Sequence, residues 1–336
     1  MFKKIILSLA MLISLLAVIG LLLPRHSHIV RSIRIERPAS MVYGVVNSFA
    51  LFPRWSPWQH LDPDMVQAAS GPTEGVGATL KWSGNKKVGT GTQVITASTP
   101  NESVSSDLTF GDMGTSKAVI FMSADGKGTD VRWTLDTDMG AGPVGRYFGL
   151  MMDSMVGDDF ETGLKNLKTL LESMPSADLA GLDAKVVELQ AQPVLLVSKS
   201  VPADPAVVSK AYAEAYAAIG KYMTAHHLKQ AGAPFGIDRQ MGGATSSFDA
   251  GIPVESAAPE TASDGAVRSG TSYGGKAAMA VHVGPYAQLH TTYERLAAYV
   301  AVRGLVANGP TFSRYVDDPM KTPLDKLRTE IYWPVK

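Results

Sequence analysis

The chain contains no cysteine among its 336 residues. Disulfide bonds, cysteine-ligated zinc, iron–sulfur clusters and a thiol nucleophile are therefore excluded. The chain also lacks net charge, since 31 lysines and arginines balance 31 aspartates and glutamates. No block of basic residues occurs beyond the N-terminal region, which argues against a nucleic-acid partner.

Common catalytic motifs are scarce as well. The sequence has no His-Glu-x-x-His zinc motif and no Gly-x-x-x-x-Gly-Lys-Ser/Thr phosphate loop. Adjacent His226 and His227 would point about 100° apart on a helix and so would not share a metal ion. His282 and His290 have no third ligand nearby in the sequence. We therefore expect no metal site and no cofactor.

The overall composition is that of a folded protein. Apolar residues make up 45% of the chain and charged residues 18%, which is typical of globular domains. At about 100–200 residues per domain, the length predicts two domains, each large enough to bury a core.

One long apolar run is present, at residues 5–23, after Lys3 and Lys4. As a helix it would span about 28 Å, close to the hydrocarbon thickness of a bilayer. The run reaches Pro24 without an Ala-x-Ala cleavage site, so residues 1–27 are interpreted as an uncleaved membrane anchor. The alternatives are a signal peptide or a buried helix. Lys3 and Lys4 favour a cytoplasmic N-terminus, which would place the domains outside the cytoplasmic membrane.

The first folded block is expected at residues 28–174. Residues 29–36 alternate as a strand, and Pro38 precedes a short helix at residues 39–48. Turn residues then separate further strands, and one long helix at residues 146–173 closes the block. The further strands are predicted at residues 78–82, 88–97, 103–109, 117–122 and 129–137.

The long helix carries an apolar stripe that we expect to face the sheet. Its members are Phe148, Met152, Met155, Phe160, Leu164, Leu167 and Leu171. The block is thus predicted to be a helix-grip fold, in which a curved antiparallel sheet wraps a long C-terminal helix.

After a linker at residues 175–192, with at most one weak helical turn, the chain contains an internal repeat. In the first half, a strand at 193–200 and a helix at 205–229 are followed by the segment Gly-Ala-Pro-Phe at 232–235 and a strand at 247–254. In the second half, a strand at 277–283 and a helix at 286–304 are followed by the segment Gly-Pro-Thr-Phe at 309–312 and a strand at 328–335. The closing strands align without gaps as acid-x-x-x-Pro-Val, beginning at Asp249 and at Glu330. Residues 193–336 are therefore expected to form a duplicated βαββ domain with pseudo-two-fold symmetry. A groove should lie where the halves meet, with a mobile connection at residues 256–275.

Taken together, the predicted fold class is α+β. An N-terminal transmembrane helix is followed by the helix-grip domain and then by the duplicated βαββ domain.

The first block resembles the SRPBCC superfamily, whose members are START-related or polyketide cyclase-like. The resemblance rests on residues 35–39 (Ile-Glu-Arg-Pro-Ala), residues 42–49, the segment 52–58 (Phe-Pro-Arg-Trp-Ser-Pro-Trp) and the long terminal helix. It covers some 145 residues.

The second block resembles the GyrI-like effector-binding domain, which occurs fused to bacterial regulators of the AraC and MerR types and as a stand-alone protein. The resemblance rests on residues 232–237 (Gly-Ala-Pro-Phe-Gly-Ile), residues 282–286 (His-Val-Gly-Pro-Tyr) and residues 330–335. It implies a groove that binds small organic molecules, often cationic and aromatic, with an acidic residue at its floor and aromatic walls. Glu330 stands at that acidic position. Asp238 departs from the family, which often has tyrosine there.

Candidate ligand contacts in the second block follow from the strand pattern of the residues and from the resemblance to the GyrI-like domain. Glu330 and Tyr332 share one face of a strand, so a cation bound there would gain charge pairing and a cation–π contact. The alternative is a solvated or arginine-paired carboxylate. The other candidates are Asp249, Tyr286, Phe235 and Tyr315, for which structural packing or pairing is the alternative.

In the first block, a cavity lined by tryptophan and methionine would suit a flexible apolar ligand. Its candidate residues are Trp55, Trp82, Trp133 and Met152, with Met151 and Met155 beside them. The alternative interpretation is an ordinary core.

These observations favour a membrane-anchored, non-catalytic protein that senses or carries a small hydrophobic or aromatic molecule. Two further hypotheses stay open. One is a hydrolase or cyclase-type enzyme in which Glu330 activates water, as the resemblance to GyrI-like hydrolases implies. The other is a module that extracts a lipid or quinone near the bilayer. The expected partners are the ligand and a membrane, and no nucleic acid.

Overall fold

The computed structural model describes residues 2–111, 114–240, 243–256 and 266–336. The chain divides into two compact units. The first comprises Met1–Leu179 with Val302–Gly304, and the second comprises Ala180–Ala301 with Leu305–Lys336.

The first unit begins with helix α1 (Phe2–Leu22), whose side chains are almost entirely exposed. Its length and apolar composition are sufficient to cross a bilayer, a property that signal sequences share. The predicted N-terminal apolar helix is therefore confirmed.

A seven-stranded antiparallel sheet follows, in the order β1-β7-β6-β5-β4-β3-β2. Its strands are β1 (His26–Ile35), β2 (Val66–Ser70), β3 (Thr79–Ser83), β4 (Thr90–Thr99), β5 (Ser103–Thr109), β6 (Thr115–Asp125) and β7 (Gly128–Asp138). Strand β2 was not predicted. One of the residues expected to form a turn between β5 and β6, Asp112, lies outside the described residues.

Among the described residues, four further α-helices complete this unit. They are α2 (Ala39–Val46), α3 (Phe52–Trp55), α4 (Trp58–Leu61) and α5 (Pro143–Glu172). Helix α5 packs along β1, so the predicted helix-grip arrangement is confirmed. The prediction that the apolar stripe faces the sheet is wrong for the N-terminal end of the helix, because Phe148 and Met155 are exposed. The buried residues of α5 begin only at Gly157.

The second unit contains an eight-stranded antiparallel sheet in the order β12-β9-β11-β10-β14-β15-β13-β8. Its strands are β8 (Ala184–Leu189), β9 (Pro193–Pro202), β10 (Phe235–Gln240), β11 (Thr245–Pro253), β12 (Arg268–Thr271), β13 (Gly275–Val283), β14 (Phe312–Tyr315) and β15 (Arg328–Pro334). Its helices are α6 (Pro205–Ala225) and α7 (Leu289–Val302).

The duplicated βαββ arrangement is confirmed by this order. The units β9-α6-β10-β11 and β13-α7-β14-β15 meet at the central pair β10 and β14, and each half has its closing strand in the middle. Asp204 caps the N-terminus of α6, because its carboxylate accepts hydrogen bonds from the backbone N–H groups of Ala206 and Val207.

Two connecting segments differ from the prediction. The expected linker at residues 175–192 contains β8, which pairs with β13 instead of forming a helical turn. The expected connection at residues 256–275 contains β12, which pairs with β9. Residues 257–265 of that connection lie outside the described residues.

In the part of the second unit that the structure describes, helices cover one face of the sheet and not the other. On the helix face, Leu195 and Phe248 pack on α6, and Ala280 and Ile331 pack on α7. The opposite face, hereafter the open face, has two smaller apolar clusters of its own. Alternation along each strand therefore assigns every candidate side chain to one of two distinct environments.

Candidate functional site: a tyrosine cluster around Asp238

The helix face carries a group of tyrosines at the junction of the two halves. We call them, together with Asp238, the tyrosine cluster; the tyrosines are Tyr212, Tyr216, Tyr286, Tyr293 and Tyr315. The Tyr212 ring lies 5.9 Å from the Tyr216 ring and 6.1 Å from the Tyr315 ring, between ring centroids. The Tyr286 ring lies edge-on to the Tyr315 ring at 5.3 Å.

Both helices and both central strands contribute to this cluster. Tyr212 and Tyr216 are four residues apart on α6 and so lie on one face of that helix. Tyr212 stacks on Phe248 of β11 with ring centroids 3.8 Å apart. A side chain at Gly236 would collide with the Tyr212 hydroxyl, so this glycine lets the tyrosine lie directly on the sheet.

Asp238 supplies the acidic group of the cluster. One of its carboxylate oxygens, Oδ2, accepts hydrogen bonds from the Tyr293 hydroxyl at 2.7 Å and from the Thr311 hydroxyl at 3.2 Å. The Ser313 hydroxyl lies 2.7 Å from the Tyr293 oxygen. Because Tyr293 donates its proton to Asp238, Ser313 donates to Tyr293.

The Asp238 carboxylate has no cationic partner within ion-pair distance among the described residues. Burial raises the pKa of Asp238, and the hydrogen bonds from Tyr293 and Thr311 oppose that rise without cancelling it. A half-buried carboxylate without a counter-ion is a strong attractor for a cation that can enter the cluster.

The tyrosine hydroxyls are neutral donors at physiological pH. Burial raises the pKa of Tyr212, Tyr293 and Tyr315, and the charge of Asp238 raises each further. Tyr286 is the most accessible member, with 37% of its surface exposed. The cluster therefore presents aromatic rings and one carboxylate and has an accessible side at Tyr286.

Glu330 and Tyr332 lie together, as predicted, but on the open face and away from the tyrosine cluster. The Tyr332 hydroxyl donates to Glu330 Oε2 at 2.7 Å, and Arg314 Nη1 lies 3.3 Å from the same oxygen. Phe312 stacks on Tyr332 with ring centroids 4.8 Å apart. Glu330 is thus already paired with a cationic side chain, that of Arg314. Its role in ligand binding stays a prediction.

Asp249, the repeat mate of Glu330, also lies on the open face. Its buried side chain accepts hydrogen bonds from Arg239 at 2.6 Å, Arg268 at 2.7 Å and Ser198 at 2.5 Å. Burial would raise the pKa of Asp249, but the bonds from Ser198 and Arg239 and the charges of the two arginines outweigh burial and lower it. An open depression of ≈ 480 Å³ adjoins this group.

The remaining candidates of the second block are divided between the faces. Phe235 lies on the open face, where it lines a cavity of ≈ 120 Å³ with Ile237, Phe312 and Arg314. Tyr286 and Tyr315 lie in the tyrosine cluster on the helix face. The six candidates therefore belong to more than one site.

In the first unit, Trp55 and Trp133 are packed in an aromatic core. Trp133 stacks on Phe160 with ring centroids 3.9 Å apart, and Trp55 lies edge-on to Trp133 at 5.5 Å. The small Gly163 allows this packing, because a Cβ atom there would lie 2.8 Å from Trp133 Cζ3. A ligand would have to displace these contacts.

The structure separates the other aromatic and methionine candidates from that core. Trp82 contacts Phe110 at 5.8 Å and donates to the carbonyl of Val88. Met152 is half-buried, and Met151 is exposed. Ligand binding by these residues stays a prediction.

The sequence predicts no Gly-x-Ser-x-Gly nucleophile elbow, although one segment matches the pattern by its letters. Residues 270–274 read Gly-Thr-Ser-Tyr-Gly and match the Gly-x-Ser-x-Gly pattern, which in hydrolases requires a strand-to-helix turn. Here the segment connects strands β12 and β13, and the Ser272 hydroxyl accepts a hydrogen bond from the Gln192 backbone N–H. The motif is therefore not a nucleophile elbow.

Sequence reasoning missed Tyr212, Tyr216 and Tyr293, which resemble ordinary residues of amphipathic helices. The sequence offered one signal for this site, namely the carboxylate at Asp238, a position where the GyrI-like family often has tyrosine. Among the described residues, no three histidine, aspartate or glutamate side chains group as metal ligands would.

Comparison with known families separates the two units. Residues 183–336 match the family described as the GyrI-like small molecule binding domain. Residues 26–172 match the family described as polyketide cyclase / dehydrase and lipid transport. These descriptions indicate small-molecule binding. The search of curated proteins yields no significant match.

Several solved structures are similar to part of this chain. The EcmrR C-terminal domain is 20% identical over 46% of this chain and 98% of its own, with a TM-score of 0.41. A hydrolase from Listeria innocua is 16% identical over 46% of this chain and 91% of its own, with a TM-score of 0.35. The Aha1 dimer from Colwellia psychrerythraea is 20% identical over 44% and 96%, with a TM-score of 0.32. The two family matches, polyketide cyclase / dehydrase and lipid transport at residues 26–172 and GyrI-like small molecule binding domain at residues 183–336, confirm the resemblance and the domain order expected from the sequence.

Proposed function

We propose that this chain is a membrane-anchored small-molecule-binding protein whose GyrI-like domain takes a lipophilic, aromatic organic cation at the tyrosine cluster. The observation that carries this proposal is the Asp238 carboxylate, which is half-buried among tyrosines and has no cationic partner among the described residues. Sensing or carrying such a molecule requires binding alone, without a catalytic step.

The chemistry of the cluster favours a delocalised organic cation over a metal ion or an anion. A single carboxylate provides one charge, and the surrounding rings provide quadrupoles that attract a cation over their faces. A small, strongly hydrated ion would lose its water without gaining enough oxygen ligands. A flat or bulky cation would instead cover the rings of Tyr286 and Tyr315 and neutralise Asp238.

Anchoring by α1 forms the second part of the proposal. The helix is apolar, exposed and long enough to span a bilayer. Lys3 and Lys4 at its start favour a cytoplasmic N-terminus, which would place both domains on the opposite side of the membrane. A lipophilic cation would accumulate near that membrane.

The test uses the full chain in lipid nanodiscs and tetraphenylphosphonium as the cation, titrated by calorimetry against empty nanodiscs. We expect saturable binding that the neutral analogue triphenylphosphine oxide does not reproduce. The Asp238→Asn variant should lose at least about tenfold in affinity, since the ion pair and its desolvated setting contribute more than 1.4 kcal/mol.

Glu330→Gln provides the matched control, because it removes a carboxylate from the other face of the same sheet. It should leave the affinity within about twofold of wild type. Loss of binding in Glu330→Gln with retention in Asp238→Asn would move the site to the open face. Absence of saturable binding in the wild type would reject the proposed ligand class.

A further inference from the structure

The N-terminal part of α5 carries an apolar stripe that no other described residue of its unit covers. The stripe consists of Val144, Phe148, Met151 and Met155, each between 50% and 78% exposed. Their spacing of four, three and four residues places them along one side of the helix. Isolated exposed apolar residues are ordinary, but a continuous line of large ones indicates a contact surface.

The stripe has a defined end and no charge within it. The next position along the same line is Asp158, which is exposed. Between residues 143 and 155 the only charged residues are Arg146 and Asp153. Asp153 points away from the stripe and pairs with Arg31 of β1 at 2.8 Å. The uncharged stripe is therefore confined to the first half of α5.

This half of α5 packs directly against the end of α1. A Cβ atom on Gly20 would lie 2.6 Å from Pro143 Cβ and 2.8 Å from a ring carbon of Tyr147, so the glycine permits close approach of the helices. The Tyr147 hydroxyl donates to the carbonyl of Leu16 at 2.9 Å. Arg146 donates to the carbonyls of Leu21 and Leu23.

These contacts place α5 at a definite depth relative to α1. Leu16 precedes the last residue of α1 by six positions, which corresponds to about 9 Å along the helix axis. If α1 spans the bilayer, the Tyr147 hydroxyl therefore lies about 9 Å inside the end of the apolar span, within the 5–10 Å depth that the apolar face of an interfacial helix reaches. Arg146 satisfies the carbonyl groups that the end of α1 leaves free.

We propose that residues 143–155 of α5 lie in the membrane interface, with Val144, Phe148, Met151 and Met155 inserted among the lipid acyl chains. This inference rests on the anchoring part of the proposed function. Its occupant is the bilayer because the stripe is continuous with α1, the element that enters the same bilayer. An interfacial helix of this kind inserts its apolar face by about 5–10 Å, and flexible methionines adapt to disordered lipid chains.

The absence of cysteine makes a direct test possible. Met151→Cys and Asp158→Cys introduce single labelling sites seven residues apart on the same line of the helix, about 10 Å along its axis. The full chain carrying a nitroxide at either position is placed in phosphatidylcholine/phosphatidylglycerol nanodiscs at one copy per disc. Power saturation then compares collision with oxygen, which concentrates in acyl chains, and with a water-soluble nickel chelate.

We expect the label at 151 to collide with the nickel chelate at least about threefold less, and with oxygen more, than the label at 158. Met155→Cys gives an independent second position in the stripe, and circular dichroism verifies that each variant is folded. Equal nickel accessibility at 151 and 158 would overturn the inference. Protection of position 151 from both reagents would also overturn it, because protein would then cover the stripe.

Intact mass and retention in the disc report on the anchor separately. Loss of the α1 segment, or release of the chain from the disc, would refute the proposed anchoring and the inference with it. A retained chain with a water-accessible label at 151 would refute the inference alone.

Discussion

The Tyr293 hydroxyl donates a 2.7 Å hydrogen bond to the Asp238 carboxylate. Tyr293 lies on the helix of the second half of the duplicated domain, and Asp238 lies on a central strand of the first half. The bond therefore joins the two halves at the tyrosine cluster. It also holds in place the carboxylate that we propose as the partner of a cation.

The affinity for a permanently charged cation should depend on pH through Asp238. Burial raises the pKa of Asp238 above its ordinary value of 3.8. As the pH falls through the raised value, the carboxylate takes up a proton and loses the charge that attracts the cation. Tetraphenylphosphonium binding should therefore weaken as the pH falls, beginning at a higher pH than an ordinary aspartate would produce.

Calorimetry across this range measures the effect, since the cation itself does not titrate. Asp238→Asn serves as the control and should bind weakly at every pH. A wild-type affinity that stays constant down to the ordinary aspartate value would contradict the assignment of Asp238.

Replacing Tyr293 by phenylalanine should move this pH dependence upward. The hydrogen bond from Tyr293 stabilises the charged form of Asp238 and so lowers its pKa. In Tyr293→Phe that stabilisation is lost, and the carboxylate should protonate at a higher pH than in the wild type. The measurement is the pH midpoint of tetraphenylphosphonium binding. A midpoint that is unchanged or lower would indicate that the bond does not act on the ligand-binding carboxylate.

Tyr286 should contribute to affinity through its ring and not through its hydroxyl. Its ring lies at the exposed side of the cluster, edge-on to Tyr315. Tyr286→Ala removes one cation–π contact, worth about 0.5–1 kcal/mol at such a site, so the affinity should fall about two- to fivefold. Tyr286→Phe retains the ring and should bind like the wild type. Equal loss in both variants would instead assign the contribution to the hydroxyl.

The internal repeat made the architecture of the second domain predictable. Matching closing strands at Asp249 and Glu330 implied two βαββ units, and the sheet order agrees. Strand alternation also predicted that Glu330 and Tyr332 share a face. It did not identify which face the helices cover, because apolar residues occur on both sides of these strands. Strand alternation alone therefore did not show that Glu330 lies on the open face, away from the tyrosine cluster.

The tyrosine cluster itself is a product of tertiary structure. Tyr212 of the first half lies beside Tyr315 of the second half only because the two halves meet at β10 and β14. The same limitation applies to α5, where the apolar periodicity continues through Phe148 although burial begins only at Gly157. Periodicity reveals an apolar side of a helix, but the sequence does not state whether sheet or lipid covers it.

Adding a methyl group at Gly163 should destabilise the protein, whereas adding one at Gly220, a helical glycine with free space around it, should not. An added Cβ atom would lie 2.8 Å from Trp133 and 3.1 Å from Pro57, so Gly163→Ala should destabilise the first domain by about 1–3 kcal/mol. At Gly220 in α6 no atom lies within 4 Å of an added Cβ. Gly220→Ala should therefore stabilise the second domain by up to about 1 kcal/mol. Urea denaturation measures both, and a stabilised Gly163→Ala variant would show that the aromatic core can shift.

Asp249 should contribute to the free energy of unfolding, and this contribution should be lost in acid. Its carboxylate is almost completely buried, with 3% of the side chain exposed, between Arg239 and Arg268. Asp249→Asn leaves two neighbouring guanidinium groups without their shared partner. Because both arginines are about half exposed and partly solvated, we expect a loss of about 1–2 kcal/mol at pH 7.

The direction of the pH effect follows from the lowered pKa of Asp249. The folded protein holds the charged form more strongly than the unfolded chain does, so this stabilisation is fully present above the ordinary value of 3.8. It is lost as the pH falls through the lowered folded value, where the carboxylate becomes protonated. The difference in unfolding free energy between the wild type and Asp249→Asn should therefore shrink in that acidic range. Glu330→Gln removes a more exposed carboxylate that is paired with one arginine, so it should lower the free energy of unfolding at pH 7 by less than Asp249→Asn does. If the difference between the wild type and Asp249→Asn persisted undiminished in acid, an electrostatic origin of this stabilisation would be contradicted.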